Sequence, residues 1–184
     1  MLERIIISGF GGQGIMLIGR LLAYAGMIEG KKVAWMPSYG PEMRGGTANC
    51  TVIISSNEIG SPVVSHPKIL IAMNQPSLDK FEANVSKDGL IILNDSLIER
   101  EVKRNDIKVI KIPADDIADK LGNSRAANMV VLGAYVEQSE IVKMDTIFKA
   151  LEKALAGRNK KLLEINKEAL KKGAELVRKG KING

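Results

Sequence analysis

The stretch RIIISGFGGQGIMLIGRLLAYAG, residues 4–26, gives the clearest indication of the fold class. The apolar, β-favouring run at 4–8 is typical of a buried central strand, and residues 13–28 have the apolar spacing of a helix. A glycine-rich turn joins the two segments. The stretch therefore predicts a β–loop–α unit at the start of the chain, and with it an α/β domain.

The turn itself, GFGGQG, matches the G-x-G-x-x-G spacing through Gly9, Gly11 and Gly14, and Gly12 adds a fourth glycine. Glycines leave backbone N–H groups uncovered, and the positive end of the next helix dipole points at the loop. We therefore predict a site for a phosphate or a carboxylate. Glycines that only let strand and helix pack closely would give the same spacing, so this alternative stays open.

A nicotinamide dinucleotide needs a further residue, an acid at the tip of the second strand that reaches the ribose hydroxyls. That tip reads AWMPSYG and contains no acid, while Glu29 precedes the strand and lies at its wrong end. The loop thus favours anion binding but not a nicotinamide cofactor.

The rest of the chain alternates strands and helices, which predicts a three-layer α/β/α Rossmann-like domain with a mixed sheet and a C-terminal helical extension. We expect a single domain over 1–157 and a basic helix over 158–184, an appendage to the core. Further strands are predicted at 31–37, 47–56, 68–73, 89–94 and 107–112, with a short strand returning from a hairpin in 56–64 that makes the sheet mixed. Helices are predicted at 76–84, 114–121, 125–139, 145–156 and 159–180.

Composition narrows the function classes. The net charge of +6 resides in residues 158–184, which hold nine Lys or Arg and three Glu, so the body is neutral. This helix has no aromatic residues to stack on bases, and we expect no nucleic-acid partner. No apolar run is long enough for a membrane span. Cys50 is the only cysteine, so the chain cannot supply the four thiolates of an iron–sulfur cluster. A cytoplasmic location is expected.

A second loop, PSYGPEMRGGTA at 37–48, lies at a predicted strand end, where ligands collect in α/β sheets. Arg44 could present a planar fork to an anion, or it could simply pair with Glu42 in a long turn. Tyr39 and Met43 are typical interface residues. Among the remaining polar residues, Asp115 and Asp116 are most simply read as compensating a helix dipole.

Together, GFGGQGIMLIGRLLAYAG, SYGPEMRGGTANCTVIISS and LIAMNQPSLDKF closely resemble the gamma subunit of 2-oxoacid:ferredoxin oxidoreductases, most of all the 2-oxoglutarate type, and NMVVLGA at 128–134 also fits. The resemblance implies a hetero-oligomeric enzyme that oxidatively decarboxylates a 2-oxoacid, such as 2-oxoglutarate or pyruvate, to its acyl-coenzyme A. It implies alpha, beta and delta partner subunits, and ferredoxin as acceptor. Thiamine diphosphate, Mg and iron–sulfur clusters would lie on the other subunits, with no cofactor held by this chain alone.

Carried over to this sequence, the family motifs give two sets of candidate residues and neither a catalytic residue nor a metal ligand. The set for coenzyme A is Gly9, Gly11, Gly12, Gln13, Gly14, Arg44 and Gly45. The set for subunit interfaces is Tyr39, Glu42, Met43, Asn74 and Gln75. Two other classes stay open, a free-standing nucleotide- or anion-binding regulator and a nucleic-acid binder led by the basic tail.

Overall fold

The computed structural model describes residues 1–38, 47–157 and 159–182. Its six-stranded sheet has the order β2-β3-β1-β4-β5-β6. The strands β1, β4, β5 and β6 are parallel, whereas β3 is antiparallel to both β1 and β2. The strand bounds are β1 Leu2–Phe10, β2 Lys32–Ser38, β3 Thr47–Ser55, β4 Ile69–Ala72, β5 Leu90–Asn94 and β6 Lys108–Ile112.

Helices cover both faces of the sheet, as the apolar character of the central strands requires. One face packs against α1 and α4, and the other buries Leu78 of α2 and Ile98 of the segment after β5. The helix bounds are α1 Ile15–Ile28, α2 Gln75–Phe81, α3 Ala114–Lys120, α4 Ala127–Ser139, α5 Met144–Ala154 and α6 Lys160–Ile182. The predicted layered α/β fold with a mixed sheet is confirmed.

The antiparallel pairing, however, does not come from the predicted hairpin. Residues 56–68 contain no strand, so the returning strand predicted within 56–64 is wrong. Gly60, Pro62 and Pro67 interrupt this segment, and proline lacks the N–H that a ladder needs. The sheet is mixed because β3 lies between β1 and β2 and runs against both.

The C-terminal helix α6 packs against α4. Residues 128–136 of α4 are all buried, as expected for a helix that lies between a sheet and a second helix. Along α6, Leu170, Ala174 and Val177 recur at helical spacing, and all three are buried. The extension is therefore a layer of the core and not a detached appendage, while the domain boundary at residue 157 stays a prediction.

The parallel strands bring four carboxyl ends to one edge of the sheet. The glycine loop follows β1, Asn74 follows β4, Asn94 ends β5, and α3 begins two residues after β6. In open α/β sheets ligands bind at this edge, and the candidate site lies there.

Candidate anion-binding site

The glycine loop forms a tight turn between β1 and α1. Gly12 has a φ of 96° and Gly14 a φ of 72°, left-handed values that favour glycine. Gly14 is the N-cap of α1 and offers no capping side chain. Among the described residues, no group accepts a hydrogen bond from the N–H groups of Gly11 and Gly12. These amides and the N-terminus of α1 form an electropositive backbone surface.

The Gln13 side chain holds the loop onto the sheet. Its Oε1 accepts hydrogen bonds from the Phe10 amide at 2.6 Å and from Asn74 Nδ2 at 3.3 Å. Its Nε2 donates to the Met73 carbonyl at 3.3 Å. Gly9 lies against this side chain, since a Cβ there would lie 2.6 Å from Gln13 Oε1 and would displace it. Both residues have a structural role here, and their predicted part in coenzyme A binding stays a prediction.

Asn74 and Gln75, predicted to face a partner subunit, make hydrogen bonds within the chain. Asn74 Oδ1 accepts from the Ser77 amide at 3.0 Å and so caps α2. Gln75 Nε2 donates to Asp79 Oδ1 at 3.1 Å. Their interface role stays a prediction. The remaining predicted residues, Tyr39, Glu42, Met43, Arg44 and Gly45, lie outside the described residues.

Asn94 positions an acid beside the loop. Its Oδ1 accepts from the Ala114 amide at 3.1 Å, and its Nδ2 donates to the Met73 carbonyl at 3.3 Å and to Asp115 Oδ2 at 2.5 Å. Asn94 therefore caps α3 and orients the Asp115 carboxylate. Asp115, at the start of α3, is thus the acidic side chain that lines the cavity beside the glycine loop.

These groups line a cavity of about 170 Å³ between the glycine loop and the start of α4. Its walls include Gly12, Gln13, Asp115, Arg125 and Asn128. The Arg125 side chain is exposed, and no acidic side chain among the described residues pairs with it.

Asn128 is only 4% exposed, and its Nδ2 donates to the Gly14 carbonyl at 3.4 Å. Its Oδ1 is buried and has no hydrogen-bond partner among the described residues. Sequence reasoning missed the part that Asp115, Arg125 and Asn128 play in this cavity. Asp115 follows the end of a predicted strand and Asn128 begins the NMVVLGA stretch, whereas nothing local in the sequence marks Arg125.

Two other polar side chains that could be reactive, Cys50 and Glu29, have structural roles instead. Burial raises the pKa of the Cys50 thiol to about 12, so this thiol is protonated and unreactive at neutral pH. Glu29, at the C-terminus of α1, accepts hydrogen bonds from the Lys143 amide at 2.7 Å and from Lys31 Nζ at 2.9 Å. In the described part of the chain, no three His, Cys, Asp or Glu side chains cluster as a metal site would require.

A second, larger concavity of about 450 Å³ lies between α1, β2 and α5 and is mainly apolar. Leu17, Leu21, Val33 and Trp35 line it, and Arg20 lies at its border. We call this concavity the α1–β2 groove.

None of the helices in the described residues combines the length and apolar character needed to cross a membrane.

Comparison with known proteins places the chain in a family. The model for pyruvate ferredoxin/flavodoxin oxidoreductase matches residues 4–176. Ketoisovalerate oxidoreductase subunit VorA of Methanothermobacter marburgensis is 40% identical over 177 residues, which are 96% of this chain and 37% of VorA. The chain therefore spans little more than a third of that relative.

Two further relatives have about the length of this chain. The 2-oxoglutarate synthase subunit KorC of Methanocaldococcus jannaschii is 34% identical over 154 residues, 82% of either chain. The crystal structure of the keto/oxoacid ferredoxin oxidoreductase gamma subunit from Geobacter sulfurreducens superposes with a TM-score of 0.82 at 28% identity, over 96% of this chain and 98% of that one. The resemblance to gamma subunits is thereby confirmed, and the chain belongs to the pyruvate ferredoxin/flavodoxin oxidoreductase family.

Proposed function

We propose that this chain is the gamma subunit of a coenzyme A-acylating 2-oxoacid:ferredoxin oxidoreductase and that it has no turnover alone. It packs against alpha, beta and delta subunits, which hold thiamine diphosphate, Mg and the iron–sulfur clusters and pass electrons to ferredoxin in the cytoplasm. Its own contribution is a docking surface and backbone groups for coenzyme A. Family membership supports the assembly, since relatives of this chain are subunits of such enzymes.

The structural observation that carries the docking proposal is the α1–β2 groove. It combines apolar side chains with aromatic and Arg side chains, the composition that interface cores favour. Met27, which also lines the groove, is 61% exposed, and no strand among the described residues pairs with the outer edge of β2. The occupant is a partner subunit corresponding to part of the additional length of VorA. A stable interface needs a surface larger than the groove alone, and this exposed edge extends it.

Purification of the tagged full chain from its native lysate under mild conditions tests this proposal, with mass spectrometry of the proteins that accompany it. We expect oxidoreductase subunits with the wild-type chain and their loss with Met27→Asp, which places a charge in the lining of the groove. Val63→Asp is the matched control, because Val63 is 66% exposed but lies outside the groove. A Met27→Asp chain that retains its partners would contradict docking there. A lone homodimer that binds nucleotides would instead favour the free-standing regulator.

The glycine loop supports the coenzyme A role. Its N–H groups, which have no acceptor in the described part of the chain, and the α1 dipole suit a phosphate group. Titration of coenzyme A into the assembled enzyme with Arg44→Ala tests the second loop, and unchanged affinity with unchanged assembly would exclude Arg44 from both roles.

We propose 2-oxoglutarate as the substrate, from the motif resemblance. The names of the relatives include ketoisovalerate and 2-oxoglutarate. A comparison of kcat/KM for 2-oxoglutarate, ketoisovalerate and pyruvate by the assembled enzyme tests this choice. A higher kcat/KM for either of the other two acids would contradict it.

A further inference from the structure

The outer edge of β2 carries backbone groups without hydrogen-bond partners among the described residues. In an antiparallel pair, alternate residues direct their N–H and C=O groups toward the partner strand, and the residues between them direct theirs away. Proline fits such a strand where its missing N–H would face away. Val33 and Trp35 have the same phase in the ladder as Pro37, so their N–H and C=O groups also point away from β3. No described residue pairs with them there.

This edge lacks the features that keep a strand edge unpaired. Exposed edges usually carry charged side chains or proline. The opposite edge strand, β6, follows this rule, because Lys108 and Lys111 are exposed along it. Residues 33–36 of β2, VAWM, contain neither feature, and Lys32 and Pro37 lie only at the two ends of this run. The sequence of β2 therefore suits a strand that pairs with another segment.

The side chains of Val33 and Trp35 line the α1–β2 groove and pack on the same core cluster as α1. Because side chains of a strand alternate between its two faces, every second side chain of a strand added beside β2 would point toward this groove. Leu17 and Leu21 of α1 would contact those side chains. Free backbone groups at a sheet edge and a lining for alternate side chains are the two requirements of strand addition.

The charged side chains in the lining of the groove are cationic. Arg20 and Lys153 are both exposed there, and no acidic side chain among the described residues lines the groove or pairs with Arg20. An incoming segment with an acidic side chain would complement these two cations. A second copy of this chain offers the same uncharged edge and the same cations at this surface, so it does not supply that acid.

We propose that an extended, acidic segment of a partner subunit adds a seventh strand to the six-stranded sheet, beside β2. Val33 and Trp35 each supply one backbone donor and one backbone acceptor to the new ladder. The acidic side chain of the segment lies against Arg20 and Lys153. The inference rests on the proposed function, in which a partner subunit occupies the α1–β2 groove, and it specifies how that partner binds.

Amide hydrogen exchange, resolved to single residues, compares the purified chain alone with the complete assembly. The amides of Val33 and Trp35 should exchange about a hundredfold more slowly in the assembly, because both become hydrogen-bonded. The Ala34 amide points toward β3 and should exchange slowly in both samples, which makes it the internal reference. Unchanged exchange of Val33 and Trp35 in an assembly that contains this chain would overturn this inference alone. Slow exchange of both in a dimer of the isolated chain would identify a second copy as the occupant and would also overturn it.

Val33→Pro tests the backbone contact, because it removes an outward N–H and leaves the β2–β3 ladder intact, as Pro37 does. It should weaken assembly about tenfold in titrations against the other subunits, and Val33→Ala, which keeps the N–H, should weaken it less. Val109→Pro is the matched control on β6, since the Lys108 amide donates to β5 and the next N–H points away. Circular dichroism checks that each variant folds, and the exchange measurement on the wild type needs no variant. Equal assembly of the two Val33 variants would contradict strand addition.

The charge of the incoming segment is tested separately. Arg20→Gln should weaken assembly severalfold and reduce its dependence on salt, whereas Arg4→Gln, at an exposed arginine outside the groove, should change neither. Wild-type affinity and salt dependence in Arg20→Gln would overturn the acidic segment. A wild-type chain that joins no assembly would overturn the proposed docking and this inference together.

Discussion

Gly173→Ala is the sharpest test of the packing between α6 and α4. A Cβ at this position would lie 1.8 Å from the Val130 carbonyl oxygen, a backbone atom that cannot rotate away. An ordinary contact between carbon and oxygen is about 3.4 Å, so the two helices would have to separate by ~1.5 Å at this point. The separation would also loosen the buried Leu170 and Ala174.

The expected loss follows from two opposing contributions. Overpacking costs ~1–3 kcal/mol, and a clash with backbone atoms of both Val130 and Ala134 belongs at the upper end of that range. Alanine recovers about 1 kcal/mol over glycine through helix propensity. Gly173→Ala should therefore lower the free energy of unfolding by about 2 kcal/mol, which for a chain of this length corresponds to a fall in Tm of roughly 4–8 °C.

Urea denaturation followed by far-UV circular dichroism measures this loss. Gly180→Ala is the matched control on the same helix, because a Cβ there meets nothing within 4 Å. That variant gains helix propensity without a clash, and its free energy of unfolding should rise by up to about 1 kcal/mol. If Gly173→Ala were as stable as Gly180→Ala, α6 would not pack on α4 as described.

Three further predictions concern single side chains. Asn74→Ala should lower the free energy of unfolding by about 1 kcal/mol in urea melts, because it removes the cap of α2, and Asn74→Ser should recover most of it; equal stability of the two variants would contradict a capping role. Burial raises the pKa of Glu29, but hydrogen bonds from Lys143, Lys31 and Thr146 outweigh it and hold the pKa below its usual 4.5. Glu29 therefore stabilises the fold above about pH 4.5 and loses this effect on acidification, so a stability–pH profile should be flatter in Glu29→Gln, and an identical profile would argue against it. Cys50 should not react with Ellman's reagent at pH 8 until the chain unfolds in guanidinium, and prompt reaction of the folded chain would refute its burial.

The local part of the fold could be predicted from the sequence. The strand–loop–helix unit of residues 4–28 needs only apolar spacing and glycine chemistry, which short segments carry themselves. The helical spacing of Leu170, Ala174 and Val177 likewise indicates, from the sequence, which side of α6 is buried. The close approach of Gly133 and Gly173 to the facing helix backbone was not, because each glycine meets residues some 40 positions away in the chain.

The strand order and the composition of the site could not be predicted, because they depend on contacts between segments that are distant in the sequence. The antiparallel strand was predicted in 56–64, whereas the sheet is mixed through β3, because the order of strands depends on contacts between distant segments. The site shows the same limit. Asp115 reads locally as a helix-dipole residue, and only the shared edge of β1, β5 and β6 brings it to the glycine loop. Parallel strands predict that some side chains come together at this edge of the sheet, but they do not predict which residues these are.

In the proposed function, this chain provides docking surface and coenzyme A contacts while the redox groups belong to its partners. The most direct measurement is reduction of a viologen dye by a 2-oxoacid and coenzyme A, with the purified chain alone and with the complete assembly. We expect no reduction by the chain alone and full activity in the assembly. Dye reduction by the isolated chain would contradict it.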